Sequence, residues 1–143
     1  MDSSLHPSGL TDDQIALLRT AAEAVAAHAY APYSKFRVGA AVLLDDGTVF
    51  SGCNVENASY GLTSCAERNA IFAAVADRGP AISLRAVFVT NLNDAASMPC
   101  GACRQVLTEF GNSSTWVFFP GTDGPAAAPL SALLPYVFKL AHD

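Results

Sequence analysis

The chain has 143 residues, about half of them apolar and 15% charged; this suits a single globular domain with a real core and excludes a disordered one. The net charge is −5 and the 8 Lys and Arg form no cluster, which disfavours DNA or RNA as a partner, because neutralising phosphates supplies most of such affinity. No apolar run nears the roughly 20 residues that span a bilayer, and MDSSLHPSGL lacks the basic cluster and apolar core of a signal peptide. The expectation is a cytoplasmic protein with a small neutral ligand.

Residues 1–10 read as a loose tail, and the whole of 1–143 as one domain. Thr11 to Gln14 then forms a capping box, a hydroxyl at the N-cap and an amide three residues on. The Ala- and Leu-rich run Ile15 to Ala29 favours a helix, which Pro32 ends. Two β-like runs follow, Phe36 to Leu44 and Thr48 to Val55, joined by Asp45-Asp46-Gly47, a hairpin signal. Asn57 to Thr63 is a turn-rich loop, and Cys65 to Asp77 suits a helix closed by Arg78-Gly79-Pro80. Leu84 to Thr90 reads as a buried strand, Asn91 to Pro99 as a loop, Cys100 to Phe110 as a helix, and Thr115 to Phe119 as a strand. Residues 120–129, rich in Gly and Pro, are expected as a loop before a short helix at Leu130 to Leu134. The order of elements implies an α/β layered domain with a mixed sheet.

The chemistry sits in two segments, Cys65-Ala66-Glu67 and Pro99-Cys100-Gly101-Ala102-Cys103, each where a loop enters a helix. Helix N-termini carry partial positive charge and free N–H groups, which stabilise thiolates. Three thiolates make a natural first shell for zinc, and a catalytic zinc site leaves its fourth position to water. The remaining cysteine, Cys53, lies in an apolar strand and reads as an inert small hydrophobe. Zinc lowers the pKa of its water, and a carboxylate beside it, Glu67, can carry the proton. At helical spacing i and i+2 diverge, so Cys65 and Glu67 share a pocket only if Cys65 lies at the helix edge. Three thiolates also leave the ion with a formal negative charge. Arg68 or Arg104 could offset it by donating to sulfur, with Arg68 preferred. His6, His28 and His142 have no ligand spacing.

A cysteine, a glutamate two residues on and a distant Pro-Cys-x-x-Cys are together the signature of zinc deaminases. The chain resembles the small homotetrameric zinc-dependent cytidine deaminase family. The resemblance runs from Tyr30 to Phe138 through Tyr33-Ser34-Lys35-Phe36-Arg37-Val38-Gly39-Ala40-Ala41, Gly52-Cys53-Asn54-Val55-Glu56-Asn57-Ala58-Ser59-Tyr60-Gly61, Cys65-Ala66-Glu67-Arg68, Pro99-Cys100-Gly101-Ala102-Cys103-Arg104-Gln105 and Leu133-Leu134-Pro135-Tyr136-Val137-Phe138. It implies a three-layer α/β/α fold, one zinc ion per subunit held by Cys65, Cys100 and Cys103, and hydrolysis of cytidine and deoxycytidine to uridine and deoxyuridine plus ammonia in pyrimidine salvage. Activated water would attack C4, with Glu67 moving protons to N3 and to the leaving ammonia. Asn54 and Glu56 would bind the ribose hydroxyls, Phe36 would pack on the base, and the backbone at Ala66 would read its edge. Tyr60 and Phe138 would complete a neighbouring subunit's pocket in a homotetramer.

Other readings predict other behaviour. A deaminase of an analogue such as blasticidin has less use for Asn54 and Glu56 as ribose partners. A polynucleotide editor needs a basic channel, which the charge balance opposes. A non-catalytic zinc-stabilised module would need four protein ligands and would tolerate Glu67→Gln.

Overall fold

The computed structural model describes residues 6–141. Residues 1–5 of the expected tail, and His142, lie outside the described residues.

Helix α1 (Asp12–Ala26) opens with the expected capping box: Thr11 Oγ1 accepts the Gln14 N–H at 3.1 Å, and Gln14 Oε1 accepts the Thr11 N–H at 3.0 Å. Its buried stripe, Leu18, Ala22 and Ala26, recurs every four residues, so one face packs on the sheet. The helix stops three residues before the expected Ala29. Residue 30 is instead needed outside it, where the Tyr30 N–H donates to the Asn54 carbonyl at 3.0 Å and its carbonyl accepts from Glu56 at 2.8 Å. Tertiary pairing overrides the helix preference of Ala27 to Ala29.

Strands β1 (Val38–Leu44) and β2 (Val49–Cys53) form the hairpin, paired from Gly39↔Cys53 to Leu43↔Val49. Gly47 takes φ +90° at the turn, as the Asp-Gly pair requires. Strand β3 (Leu84–Asn91) pairs antiparallel with β1, and β4 (Trp116–Gly121) runs parallel to β3. The sheet does not end there. Residues Gly124–Pro129, expected as loop, form strand β5, antiparallel to β4 and at the sheet edge. Proline is tolerated at an edge because one side of the strand needs no ladder bond. The strand order β2-β1-β3-β4-β5 makes a mixed sheet.

Helices α2 (Ala66–Arg78) and α3 (Gly101–Phe110) cover one face and α1 the other. Ala40, Val42, Val87, Val89 and Val117 point to the α2–α3 side with Ala70, Ile71 and Leu107. Ala41, Leu43, Ala86 and Phe118 point to α1 with Leu18 and Ala22. The three-layer α/β/α reading holds. A one-turn helix, α4 (Leu130–Leu133), follows β5. Residues 6–10 are not loose: Leu10 is fully buried in the α1-side core, and His6 stands edge-on to Trp116 and Phe118. The Arg85 guanidinium donates to the Ser8 carbonyl at 3.2 Å, fastening this segment to β3.

Candidate metal centre

A glycine brings α2 close to the sheet. At Gly52 a Cβ would lie 2.4 Å from the Ala70 nitrogen and 2.9 Å from the Ala66 carbonyl oxygen, so β2 and the start of α2 are in backbone contact. This seats the N-terminus of α2 over the sheet, facing that of α3.

Cys65 is the N-cap of α2, with extended φ −74° and ψ 155°. Glu67 is the second residue of the helix, so the i, i+2 pair straddles the helix edge as the chemistry demands. Cys100 is the N-cap of α3; its sulfur accepts the Cys103 N–H at 3.4 Å. The three sulfurs of Cys65, Cys100 and Cys103 lie within 4.8 Å of one another, with Cys100 and Cys103 at 3.4 Å. A tetrahedral zinc with bonds of about 2.3 Å needs sulfurs about 3.8 Å apart, so the donor set fits that ion in chemistry and in spacing. Cys53, half-buried in β2, is not part of this cluster.

The electrostatics favour a thiolate at Cys65. A hydrogen bond from Cys103 pulls the Cys65 thiol down to about 5. The same bond, followed by burial, pushes Cys103 up. The Arg68 guanidinium donates to the Cys65 sulfur at 3.4 Å and to the Thr63 carbonyl at 3.3 Å. Arg104, the other sequence candidate, donates to the Pro99 carbonyl at 2.9 Å and the Leu133 carbonyl at 3.0 Å. It braces Pro99 against α4, and the bond to a cysteine sulfur comes from Arg68. Glu67 is only 5% exposed. Burial raises its carboxyl above the ordinary range, and the charge on Cys65 adds to the rise. A carboxyl in such surroundings holds a proton more readily than one in water, which suits it to carrying one.

Asn54 and Glu56, beyond the end of β2, are both buried. Glu56 accepts the Tyr33 N–H at 3.0 Å, the Ser34 N–H at 3.2 Å and the Ser34 hydroxyl. Asn54 accepts the Val38 N–H at 2.9 Å and donates to the Phe36 carbonyl at 2.8 Å. Both therefore staple the loop that carries Phe36, a half-buried ring. Each keeps unused capacity, one N–H and one lone pair on Asn54 and a carboxylate lone pair on Glu56. Ala66 is fully buried, whereas Tyr60 and Phe138 are 75% and 72% exposed. Tyr60 meets Tyr33 edge-on at 6.3 Å, and the Phe138 carbonyl accepts from Gln105 at 3.0 Å.

Sequence reasoning missed two braces. Asn69 donates to the Cys53 carbonyl at 2.7 Å and accepts the Ser64 hydroxyl at 2.7 Å, tying β2 to the residue before Cys65. Ser34 joins Glu56 to the Phe36 N–H at 3.0 Å. Ser34 lies inside a motif that carries the resemblance and Asn69 just after one, but a polar residue in either place does not distinguish a brace from a solvated side chain.

The family described as "Cytidine and deoxycytidylate deaminase zinc-binding region" matches residues 12–119. A cytidine deaminase of Sporosarcina psychrophila is 47% identical over 112 residues, 78% of this chain and 81% of that protein. One of Mycobacterium tuberculosis (strain CDC 1551 / Oshkosh) is 49% identical over 104 residues, 73% and 77% of the two chains. The crystal structure of cytidine deaminase from Mycobacterium tuberculosis superposes with a TM-score of 0.77 at 45% identity, over 88% of this chain and 98% of that one. That of cytidine deaminase from Burkholderia pseudomallei gives 0.77 at 45% identity, over 86% and 98%. The chain belongs to the zinc-binding cytidine and deoxycytidylate deaminase family.

Proposed function

We propose that this protein hydrolyses cytidine and deoxycytidine to uridine and deoxyuridine plus ammonia, in pyrimidine salvage. The observation that carries the reading is three thiols from two helix N-termini gathered within 4.8 Å, with a buried Glu67 two residues from one of them. Cys65, Cys100 and Cys103 would hold one zinc ion per subunit. Bound there, zinc supplies a Lewis acid that makes water nucleophilic near neutral pH. Glu67 would take one proton of the water that attacks C4 and place it on N3, then take the remaining hydroxyl proton and pass it to the amine, which leaves as ammonia as the C4–N bond breaks. Arg68 stabilises the thiolates by hydrogen bond and charge.

The rest of the site binds and orients. The Ala66 backbone reads the pyrimidine edge, Phe36 packs on the base, and the spare hydrogen-bonding capacity of Asn54 and Glu56 takes the ribose hydroxyls. An uncharged nucleoside accords with the net charge of −5, and no nucleic acid is needed as partner. Tyr60 and Phe138 stand exposed, which supports their completing the pocket of a neighbouring subunit in a homotetramer. The four unpaired cysteines support a cytoplasmic, reducing location. No helix among the described residues is long and apolar enough to cross a membrane.

The test is metal analysis joined to an assay of uridine formation, on the wild type and on Glu67→Gln. The wild type is expected to carry one zinc and release ammonia; the variant keeps the zinc and loses turnover. Full turnover in Glu67→Gln would remove the proton-transfer role.

A further inference from the structure

The loop that presents Phe36 is held from several sides, one of them the end of α1, where the Arg37 guanidinium donates to the Ala27 carbonyl. Asn54 and Glu56 grip it from the end of β2. Asn93, in the connection from β3 to α3, grips it from another side. Its Oδ1 accepts the Arg37 N–H at 3.1 Å and its Nδ2 donates to the Lys35 carbonyl at 3.0 Å. These two bonds bracket Phe36. Asn93 is itself aimed by a turn centred on Asn91, whose Oδ1 accepts the N–H groups of Asn93 at 3.0 Å and Ala95 at 3.2 Å. The same connection runs on to Pro99 and Cys100.

Lys35 shows why the loop needs holding. It takes φ +63°, a left-handed conformation that is strained for a non-glycine residue. A strained conformation of this kind persists where surrounding bonds over-determine it. Asn93 is exposed, and its amide supplies two of those bonds.

We infer that Asn93 is a positioning residue: bridging Lys35 and Arg37, it fixes the Phe36 loop against the connection that leads to Cys100, so that the ring stands ready before substrate arrives. The inference rests on the reading of Phe36 as the residue that packs on the base. Losing a preorganised binding contact raises KM, and it leaves kcat largely alone where the contact is as strong in the ground state as in the transition state.

The experiment measures kcat and KM for cytidine in the wild type, Asn93→Ala, Phe36→Ala and the double variant, with zinc content and thermal unfolding alongside. Asn93→Ala is expected to raise KM about tenfold, the effect of roughly one lost hydrogen bond's worth of order, with kcat within about threefold and zinc unchanged. In the Phe36→Ala background the same change is expected to add nothing, because there is no ring left to place. Asn93→Asp keeps an acceptor for Arg37 but sets an oxygen against the Lys35 carbonyl, and is expected to match Asn93→Ala. An Asn93→Ala enzyme with wild-type KM, while Phe36→Ala raises it, would overturn this inference alone, as would an equal rise with and without Phe36. Wild-type KM in Phe36→Ala would remove the base-packing role and this inference with it. A wild type that forms no uridine would instead remove the proposed activity.

Discussion

Replacing Gly52 by alanine tests whether the sheet sets the position of the metal centre. The new Cβ would meet the Ala70 nitrogen at 2.4 Å, against an ordinary contact of 3.4 Å, and also the Asn69 carbonyl carbon at 2.8 Å. All are backbone atoms, so no side chain can swing away; β2 and α2 must separate by about 1 Å, the difference between those two distances. If the helix moves, Cys65 and Glu67 shift against Cys100 and Cys103. If the strand moves, Asn54 and Glu56 shift instead. Overpacking of this kind costs about 1–3 kcal/mol of stability, which leaves a folded protein, whereas a 1 Å misplacement at a reacting centre costs about a hundredfold in rate. Gly39→Ala is the control. Its Cβ would meet the Ala22 carbonyl oxygen at 2.1 Å, a worse clash, but against α1 on the opposite face. Thermal unfolding and the uridine assay are therefore expected to dissociate: Gly39→Ala loses at least as much stability, and Gly52→Ala loses far more kcat/KM. Two variants that lose activity in proportion to stability would refute the argument.

Arg68→Ala removes the only side-chain cation donating to the sulfur cluster among the described residues; zinc affinity measured against a competing chelator is expected to fall about 10- to 100-fold, and an unchanged affinity would count against its role. Glu56 is held below its ordinary 4.5 chiefly by the Ser34 hydroxyl, then by the N–H groups of Ser34 and Tyr33, against a burial cost. A depressed folded-state pKa gives stability that is complete above the unfolded value and lost as pH falls through the folded one. Urea unfolding from about pH 7 down to about pH 3 is thus expected to show a shallower acid loss in Glu56→Gln than in the wild type, and superimposable curves would contradict this. Asn54→Ala is expected to slow cytidine more than 2′,3′-dideoxycytidine, which has no ribose hydroxyls to lose. Equal losses on both would mean that Asn54 acts only through the Phe36 loop.

Legibility followed locality. The capping box at Thr11 and the Asp45-Asp46-Gly47 turn are complete within four residues, and both formed as read. The strand at Gly124–Pro129 was hidden because GPAAAP carries none of the side chains that favour strands; its register against Trp116–Gly121 makes it one. The burial of Leu10 was equally hidden, since only the folded sheet shows Trp116 and Phe118 waiting for His6 and its neighbours.

The candidate site divides along the same line. The thiols and Glu67 were legible because metal chemistry restricts residue type and because each segment sits at a helix start that the sequence itself announces. The braces were not, because an asparagine or serine that holds a loop looks in sequence like one that meets water. Asn54 and Glu56 show what this hides. The family resemblance makes their side chains ribose partners, and in the fold they first satisfy backbone groups of Tyr33, Ser34, Phe36 and Val38. A buried polar residue already committed to the scaffold is fixed in orientation at no further cost when substrate arrives, so its remaining lone pair or N–H is aimed in advance. If Asn54 and Glu56 bind the ribose as proposed, substrate contacts and scaffold contacts form one network, and Asn69, Ser34 and Asn93, which nothing in the sequence distinguishes from solvated residues, help to aim it.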